Sequence, residues 1–546
     1  MGFLATKVAI FNKTLFKRLV LIAQDLEKLH LQAQQLLNRG QLKQAHAACL
    51  AILKKAPRHA DAHFLLGMIA ANLGQMSKAI GLIDLASKLN TSSAEYFAFL
   101  AKCLSAVNRY QEAHKAMASA LKLGSDSALI NDTLGVVASR LGEHEQAITL
   151  FKKAIATQDT NPNFHYNLAA SQKFLGQFEQ AAASYERVIA LKHDYFQAHS
   201  ALAELMLATP HNNHLERLLK LKDETSTNIN GQLHLCHALA KEYECLGDYQ
   251  QALIALQQGN SAKKQQLGYH ATQDEKLFST IEACFTKDFM AQTAVGSDSA
   301  QPIFIVGMPR SGTTLVDRII SSHSEVSSAG ELQNFGVELK KMTLTKSPQV
   351  LDEETIWAAK ELNFQDLAQR YLDSTKPLSD KTPYFIDKMP LNFFYLGFIK
   401  KALPKAKIII LRRNAMDTCL SNFRTLFAVN FSYYNYSYDL MDTAHYYAQF
   451  NQLMTHWTTH YGAQILEVVY EDLVENPEQQ IRRILDYCQL EWQNNCLDFH
   501  TNQQAVSTAS SVQVRKPMNA DSINRWQRYG AQLDKLQTYL SEKNLL

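Results

Sequence analysis

Residues 302–315 read PIFIVGMPRSGTTL, and this stretch determines the fold of the second half of the chain. An apolar run typical of a buried strand comes first, a glycine-containing loop follows, and the next residues have the pattern of a helix. Gly312 and Thr314 match the phosphate-binding motif G-x-x-x-x-G-K-[ST], but Thr313 stands where that motif has its lysine. The nearest positive charge is Arg310. The stretch therefore predicts a strand–loop–helix unit that binds an anion at the helix N-terminus.

The missing lysine narrows the choice of anion. A nucleoside triphosphate needs that lysine and a magnesium ion to neutralise its phosphates, and no clear acidic residue for the metal follows. A nucleotide whose single 5′-phosphate carries a sulfonyl group needs less charge and no metal. The loop therefore argues against a nucleotide kinase, and no metal site is predicted. Arg310 is the candidate to hold the oxygen that becomes the leaving phosphate.

Apolar runs rich in Ile and Val alternate with helical patterns beyond residue 300, which predicts a parallel α/β sheet. These runs lie at 302–307, 324–328, 384–389, 406–413 and 463–473. In such sheets ligands bind beyond the carboxyl ends of the strands. Polar residues lie at or just beyond the carboxyl ends of four runs and within the fifth, in the order Arg310, Glu331, Lys388, Arg413 and Tyr470. One edge of the sheet is therefore expected to carry the chemistry.

The first half of the chain is an internal repeat. Turn residues recur at 34-residue intervals at Gly40, Gly74, Asn108, Gly142 and Gly176, and alanines recur with the same step at Ala45, Ala79, Ala113, Ala147 and Ala181. This pattern resembles the tetratricopeptide repeat, in which the turn residue adopts a left-handed conformation and the alanine allows close helix packing. A sixth copy at Gly247 and Ala252 follows an interruption around Pro210.

The repeats predict a solenoid whose concave face binds a peptide or a partner protein. The alternative is a spacer or a dimerisation arm that forms a homodimer. The predicted organisation is a solenoid over residues 1–255, a helical linker over 256–300 and an α/β domain over 301–546.

Composition limits the class of protein. The chain has 546 residues and a net charge of +3, which argues against a general nucleic-acid binder. Its eight cysteines include no C-x-x-C pair, which favours reduced thiols and a cytoplasmic location. We expect no membrane span. The basic N-terminal segment is expected to form a short amphipathic helix rather than a signal peptide.

Four separated motifs resemble the sulfotransferase family that uses 3′-phosphoadenylyl sulfate (PAPS). They are PIFIVGMPRSGTTL, LRRNAMDTCLSNF, YEDLVENPEQQIRRIL and SSVQVRKPMNADSINRW. The last is similar to the tyrosylprotein sulfotransferase branch, and the combination with tetratricopeptide repeats resembles a bacterial architecture. The resemblance implies a P-loop-like α/β fold, PAPS as co-substrate and a hydroxyl acceptor, with peptide tyrosine as one candidate.

The resemblance also implies roles for residues of the cofactor site. The 5′-phosphosulfate is assigned to Arg310, Ser311, Gly312, Thr313 and Thr314, and the 3′-phosphate to Arg413 and Ser421, with Arg412 a lesser candidate. Tyr470 is placed near the adenosine. A loop over the cofactor is assigned to Ser510, Gln513, Val514, Lys516 and Asn519, and Arg525 stands where the branch has a lysine. A further arginine expected four residues after Ser421 falls on Thr425, with Arg424 adjacent.

Glu331 matches the catalytic base of the tyrosylprotein branch, and His323 is the alternative. Lys388 and Ser510 match residues that stabilise charge on the sulfonate and the leaving phosphate. Two other functions stay open: a binding scaffold with a vestigial sulfotransferase domain, and a sulfotransferase for carbohydrates or small molecules.

Overall fold

The structure, a computed structural model, describes residues 24–292, 295–379, 382–429, 431–502, 504–506 and 512–546. The N-terminal basic segment, for which the sequence predicts an amphipathic helix, lies outside these ranges. The chain divides into two compact units, Met1–Leu168 and Ala169–Leu546. The sequence predicts domain boundaries near residues 255 and 300. These boundaries stay a prediction, because the two compact units meet after Leu168 instead.

The first unit is helical. Residues 24–38 form a helix. The helices that follow are α1 Leu42–Lys55, α2 Ala60–Asn72, α3 Met76–Leu89, α4 Ala94–Ala106, α5 Tyr110–Leu123, α6 Ala128–Arg140, α7 His144–Thr157 and the start of α8 Pro162–Phe174. Helices of one repeat pack as pairs, as in α2 with α3 and α4 with α5.

The repeat residues have the conformations that the sequence predicts. The turn residues of all six copies have positive φ, from +60° at Asn108 to +83° at Gly247. The alanines of the second helices, from Ala45 to Ala252, have no exposed surface. Left-handed turns followed by close helix contacts therefore confirm the helical solenoid.

The second unit begins with helices and continues into an α/β sheet. Its helices are α9 Phe178–Leu191, α10 Phe196–Leu205, α11 Leu215–Glu224, α12 Ile229–Cys245, α13 Tyr249–Leu267, α14 Thr272–Cys284, α15 Lys287–Ala291, α16 Thr313–Ile320, α17 Asn334–Thr343, α18 Glu353–Ala359, α19 Phe364–Ser379, α20 Leu396–Ala402, α21 Ala415–Phe423, α22 Leu440–Tyr461, α23 Tyr470–Glu475, α24 Pro477–Cys488 and α25 Asp534–Glu542. Short 3₁₀ helices include Gln513–Arg515 and Arg525–Leu533. None of the described helices is long and apolar enough to cross a bilayer.

The five strands are β1 Pro302–Gly307, β2 Val326–Ser328, β3 Tyr384–Asp387, β4 Lys407–Arg412 and β5 Leu466–Val469. Their order in the sheet is β2-β3-β1-β4-β5, and all neighbours are parallel. The sheet confirms the predicted α/β fold. Because the strands are parallel, their carboxyl ends lie at one edge.

Both faces of the sheet are buried. In β1, Phe304 and Val306 pack on one face, in a core that extends to α12 and α13. Ile303 and Ile305 pack on the other face, against α16 and α24. This arrangement explains why the strands read as continuous apolar runs rather than as alternating ones.

The end of β5 differs from the sequence prediction, which put Tyr470 within the fifth apolar run. The strand stops at Val469 and Tyr470 is the first residue of α23. Glu471 and Asp472 follow it in the first helical turn, where negative charge is favourable, so the polar residues end the strand earlier than its apolar pattern suggests.

The interruption around Pro210 ends in an ion-pair cluster. His214 lies 3.3 Å from Glu186 and 2.6 Å from Glu242, and its side chain is 17% exposed. Hydrogen bonds to these two carboxylates raise the pKa of His214 to about 9. The protonated imidazole therefore joins α9, α11 and α12.

Candidate active site

The predicted anion-binding loop lies between β1 and α16. Gly312 precedes the first helical residue, Thr313, and has a φ of +105°. A Cβ atom on Gly312 would lie 2.6 Å from Cδ2 of Tyr470, so the close approach of this ring also requires glycine. Arg310 has a φ of +68°, a conformation that is uncommon for a side-chain-bearing residue and is held by its surroundings.

Arg413, directly after β4, fixes the conformation of this loop. One Nη of Arg413 donates to the carbonyl oxygen of Arg310 at 2.7 Å, and the other donates to the carbonyl oxygen of Ser522 at 2.5 Å. Its guanidinium lies 4.8 Å from the ring centre of Tyr470. Arg413 therefore connects the loop after β1 to the C-terminal part of the chain.

These residues line a cavity of about 200 Å³ at the carboxyl edge of the sheet. Ten of the predicted cofactor residues line it: Arg310, Gly312, Thr314, Arg413, Tyr470, Gln513, Val514, Lys516, Asn519 and Arg525. The structure thus brings together the loop, two strand ends and the C-terminal segment. Apolar side chains line the same cavity, among them Leu315, Phe499 and Met518.

The charge around the cavity is strongly positive. The pKa of Arg310 is lowered to about 10 by burial and by the neighbouring Arg413, Arg424 and Arg525, and Glu204 offsets this only in part. Like charges held together in this way favour binding of an anion that neutralises them.

Several donors near the cavity are buried without a protein partner. Among the residues that the structure describes, Ser311 Oγ, Arg413 Nε and Arg525 Nε have no hydrogen-bond partner. Buried polar atoms usually have one. Unsatisfied donors beside a positively charged cavity are suited to a bound anion. No group of three or more His, Cys, Asp or Glu among the described residues could hold a metal ion.

Glu331 and Lys388 follow the neighbouring strands β2 and β3. Lys388 Nζ donates to Glu331 Oε1 at 2.5 Å, and the backbone N–H of Lys388 donates to the carbonyl oxygen of Gly330 at 3.0 Å. The Lys388 side chain is 1% exposed, whereas that of Glu331 is 38% exposed. Glu331 is therefore the accessible member of a fixed ion pair, while neither residue lines the cavity.

The remaining predicted residues are placed as follows. Ser421 lies on α21 outside the cavity wall, where its hydroxyl accepts from Arg310 Nε at 3.4 Å. Ser311 and Thr313 are buried in the loop and at the start of α16 and do not line the cavity. Ser510 lies outside the described residues.

The lesser candidates have structural partners. His323 is buried, with Nε2 at 3.0 Å from the carbonyl oxygen of Glu491 and Nδ1 accepting from the N–H of Glu325. Arg412 pairs with Glu467 at 3.0 Å. Both nitrogens of His323 are thus already used, which weakens it as a base.

Sequence reasoning missed the residues that hold Arg424 and Arg525. Glu244, on α12, accepts from both of these arginines. Asp417, on α21, accepts from the backbone N–H groups of Asn524 at 2.7 Å and Trp526 at 3.1 Å. The long sequence separation of these pairs leaves no local signal for them.

Residues 302–494 match the family model described as the sulfotransferase family. The second half of the chain carries a sulfotransferase-family domain. Residues 30–94 and 100–162 match one tetratricopeptide-repeat model, and residues 138–205 match another. The chain therefore joins tetratricopeptide repeats to a sulfotransferase domain.

Two relatives illustrate the similarity. An uncharacterized protein of Aquifex aeolicus is 34% identical over 297 residues, which are 53% of this chain and 39% of that protein. Protein-tyrosine sulfotransferase A of Caenorhabditis elegans is 26% identical over 41% of this chain and 60% of that protein. In both cases the matched region spans less than two thirds of the relative's length.

Among solved structures, one neighbour is the sulfotransferase domain from the Synechococcus PCC 7002 olefin synthase. It is 20% identical, with a TM-score of 0.33, and the match covers 46% of this chain and 97% of that one.

Proposed function

We propose that the protein is a PAPS-dependent sulfotransferase that moves a sulfonate group to a hydroxyl acceptor. The observation that carries the proposal is the cluster of Arg310, Arg413 and Arg525 around a cavity at the N-terminus of α16, with buried donors that have no protein partner. A sulfotransferase-family domain that contains such a cluster is suited to a nucleotide with a phosphate-type group at each end of its ribose.

We assign the binding roles from the places of these residues around the cavity. The loop from Arg310 to Thr314 would receive the 5′-phosphosulfate at the helix N-terminus. Arg413, beyond β4, lines the cavity and would bind the 3′-phosphate, and Ser421 would support Arg310. The Tyr470 ring, packed against Gly312, supplies a flat surface for the adenosine.

When bound, PAPS supplies the sulfonate and leaves as adenosine 3′,5′-bisphosphate. Glu331 would accept the proton of the acceptor hydroxyl as its oxygen bonds to sulfur and the bond from sulfur to the phosphate oxygen breaks. Lys388 holds the Glu331 carboxylate in one orientation through the 2.5 Å contact. Its ammonium would also stabilise negative charge on the transferring group. Arg310 would stabilise the departing phosphate.

Tyrosine on a peptide is the acceptor that the matched protein-tyrosine sulfotransferases suggest, at 23% to 26% identity. In this proposal the tetratricopeptide repeats bind the acceptor or a separate partner protein. A carbohydrate or small-molecule hydroxyl is the alternative acceptor. A cytoplasmic location is supported by eight free cysteines, which reducing compartments favour.

The binding part of the proposal is tested by calorimetry with adenosine 3′,5′-bisphosphate, AMP and ATP, each with and without magnesium. We expect the bisphosphate to bind about tenfold or more tightly than AMP, because one charged hydrogen bond contributes about 1.5–3 kcal/mol. Magnesium should have no effect. Equal affinities for the bisphosphate and AMP would overturn the assignment of the 3′-phosphate site.

A further inference from the structure

One wall of the cavity is formed by residues 512–529, here called the C-terminal wall. Several of its side chains face the cavity, among them Gln513, Lys516, Asn519 and Arg525. These residues follow the matched sulfotransferase region, which ends at residue 494. The cavity therefore depends on the contacts that hold this wall in place.

The first anchor of the wall is a buried carboxylate. Glu244, on α12, has a side chain that is 3% exposed. It accepts from Arg525 Nη2 at 3.0 Å, from the hydroxyl of Tyr529, and from two guanidinium nitrogens of Arg424. Burial alone would raise the pKa of Glu244, but Arg424 and Arg525 outweigh burial and hold the pKa at about 2. One charged side chain thus ties the wall to α12 and to the end of α21.

The second anchor lies at the other end of the wall. Arg515 Nη2 donates to the carbonyl oxygen of Phe174, the last residue of α8, at 2.8 Å. The Arg515 side chain also packs on Gly176, where a Cβ atom would lie 2.7 Å from its Nε. The turn glycine of this repeat therefore serves two purposes, since it provides a positive φ and leaves room for Arg515.

The groups that hold the wall lie in the repeat region, outside the four sulfotransferase motifs. Phe174 and Gly176 lie in the region that matches a tetratricopeptide-repeat model, and Glu244 lies in the helix that precedes the sixth repeat turn. The carboxylate and the turn contact opposite ends of the same wall. Most of the wall residues that line the cavity, among them Lys516, Asn519 and Ser522, lie between these two contacts.

We propose that the repeat helices are a component of the nucleotide site, with Glu244 and Arg515 as positioning residues that hold the C-terminal wall against the cavity. The inference rests on the proposed function, in which the cavity binds a 3′-phosphorylated nucleotide. Neither residue lines the cavity, so both act through the residues that do. The solenoid and the nucleotide site are then coupled through these two contacts.

Charge and position predict opposite results when Glu244 is replaced by glutamine. If the carboxylate acted only through its negative charge, removing that charge would leave the arginine cluster more positive and the anion would bind more tightly. If Glu244 positions Arg525, its loss releases the wall and the anion binds more weakly. The direction of the change therefore separates the two roles.

The experiment compares the full-length chain with Glu244→Gln, Arg515→Met and a matched control, Glu242→Gln. Glu242 lies on the same helix and is as buried, but it pairs with His214. Two quantities are measured: hydrogen exchange of residues 512–529 without ligand, and the Kd for adenosine 3′,5′-bisphosphate. If the wall is held against the cavity in only about one tenth of the molecules, the Kd rises about tenfold. Exchange in the wall should accelerate in both test variants and stay unchanged in the control.

Unchanged exchange together with equal or tighter binding in Glu244→Gln would overturn the proposal. Should that variant fail to fold, Arg515→Met decides in the same way, because Arg515 is only half-buried. A wild-type chain that does not bind the bisphosphate would refute the proposed function instead. Hydrogen exchange would then still show whether Glu244 and Arg515 hold the wall.

Discussion

Replacing Arg413 by alanine should remove the preference for a 3′-phosphorylated nucleotide. In the structure the two Nη atoms of Arg413 are bound to the carbonyl oxygens of Arg310 and Ser522, while Nε has no protein partner. Arg413 lines the cavity, so its positive charge faces a bound ligand, and its buried Nε has no protein acceptor. Tyr470, 4.8 Å away, keeps the guanidinium in this orientation.

The size of the effect follows from these contacts. Loss of one charged hydrogen bond to the 3′-phosphate costs about 1.5–3 kcal/mol, which corresponds to about a 10- to 100-fold rise in the Kd of adenosine 3′,5′-bisphosphate. Loss of the two backbone contacts loosens the loop for every nucleotide, at about 1.5–3 kcal/mol for each bond, because the guanidinium donor is charged. AMP should therefore weaken as well, but by less.

The assay is calorimetry of both nucleotides with wild type, Arg413→Ala and the control Arg412→Ala. Arg412 is the adjacent residue, but it pairs with Glu467 at 3.0 Å and does not line the cavity. The control should keep the wild-type ratio of the two affinities. If Arg413→Ala weakens AMP and the bisphosphate by the same factor, Arg413 shapes the loop and does not recognise the 3′-phosphate.

Three further outcomes are expected. Glu331→Gln should lower kcat for sulfonate transfer by about 10²–10⁴-fold and leave the nucleotide Kd unchanged. On an acidic nitrophenol acceptor the loss of kcat should be smaller, because the phenol proton leaves more readily. A wild-type kcat in the variant would exclude Glu331 as the base. Gly312→Ala should lower the Tm and weaken nucleotide binding, at a cost of about 1–3 kcal/mol, because its Cβ would collide with Tyr470; Gly81→Ala, in open space on α3, is the control and should leave binding unchanged. The free energy of unfolding should fall by up to about 3 kcal/mol as pH rises from about 6.5 through 9, because the pKa of His214 is raised to about 9 in the folded state. Urea unfolding at a series of pH values measures this dependence, and His214→Gln should remove most of it. An unchanged pH dependence in the variant would exclude His214 as its cause.

The sequence predicts the parts of the site that are local in the chain. The loop from Arg310 to Thr314 could be predicted because its strand, its glycine and its helix are consecutive, and the β1 bounds agree with the apolar run. The end of β5 was predicted too late, because Tyr470 continues an apolar pattern although the acidic residues after it start a helix. Local sequence patterns therefore predict that a strand or helix exists more reliably than they predict its last residue.

Contacts between distant segments could not be predicted in this way. Glu244 lies 180 residues from Arg424 and 281 from Arg525. Nothing in the repeat pattern distinguishes it from an exposed acid. Its role depends on which segments the fold brings together, and only the structure supplies this. The predicted boundary at residue 255 assigns Glu244 to the solenoid, although its carboxylate accepts from Arg424, Arg525 and Tyr529, which lie in later segments.

The most direct measurement is transfer of labelled sulfonate from PAPS in a lysate of the source cell, by wild type and Glu331→Gln. Glu325→Gln, an exposed acid at the other end of β2, is the matched control. We expect label in one class of hydroxyl-bearing molecule with wild type and the control, and almost none with Glu331→Gln. Equal labelling by all three proteins, or no labelled acceptor with wild type while PAPS stays intact, would contradict a sulfotransferase that acts through Glu331.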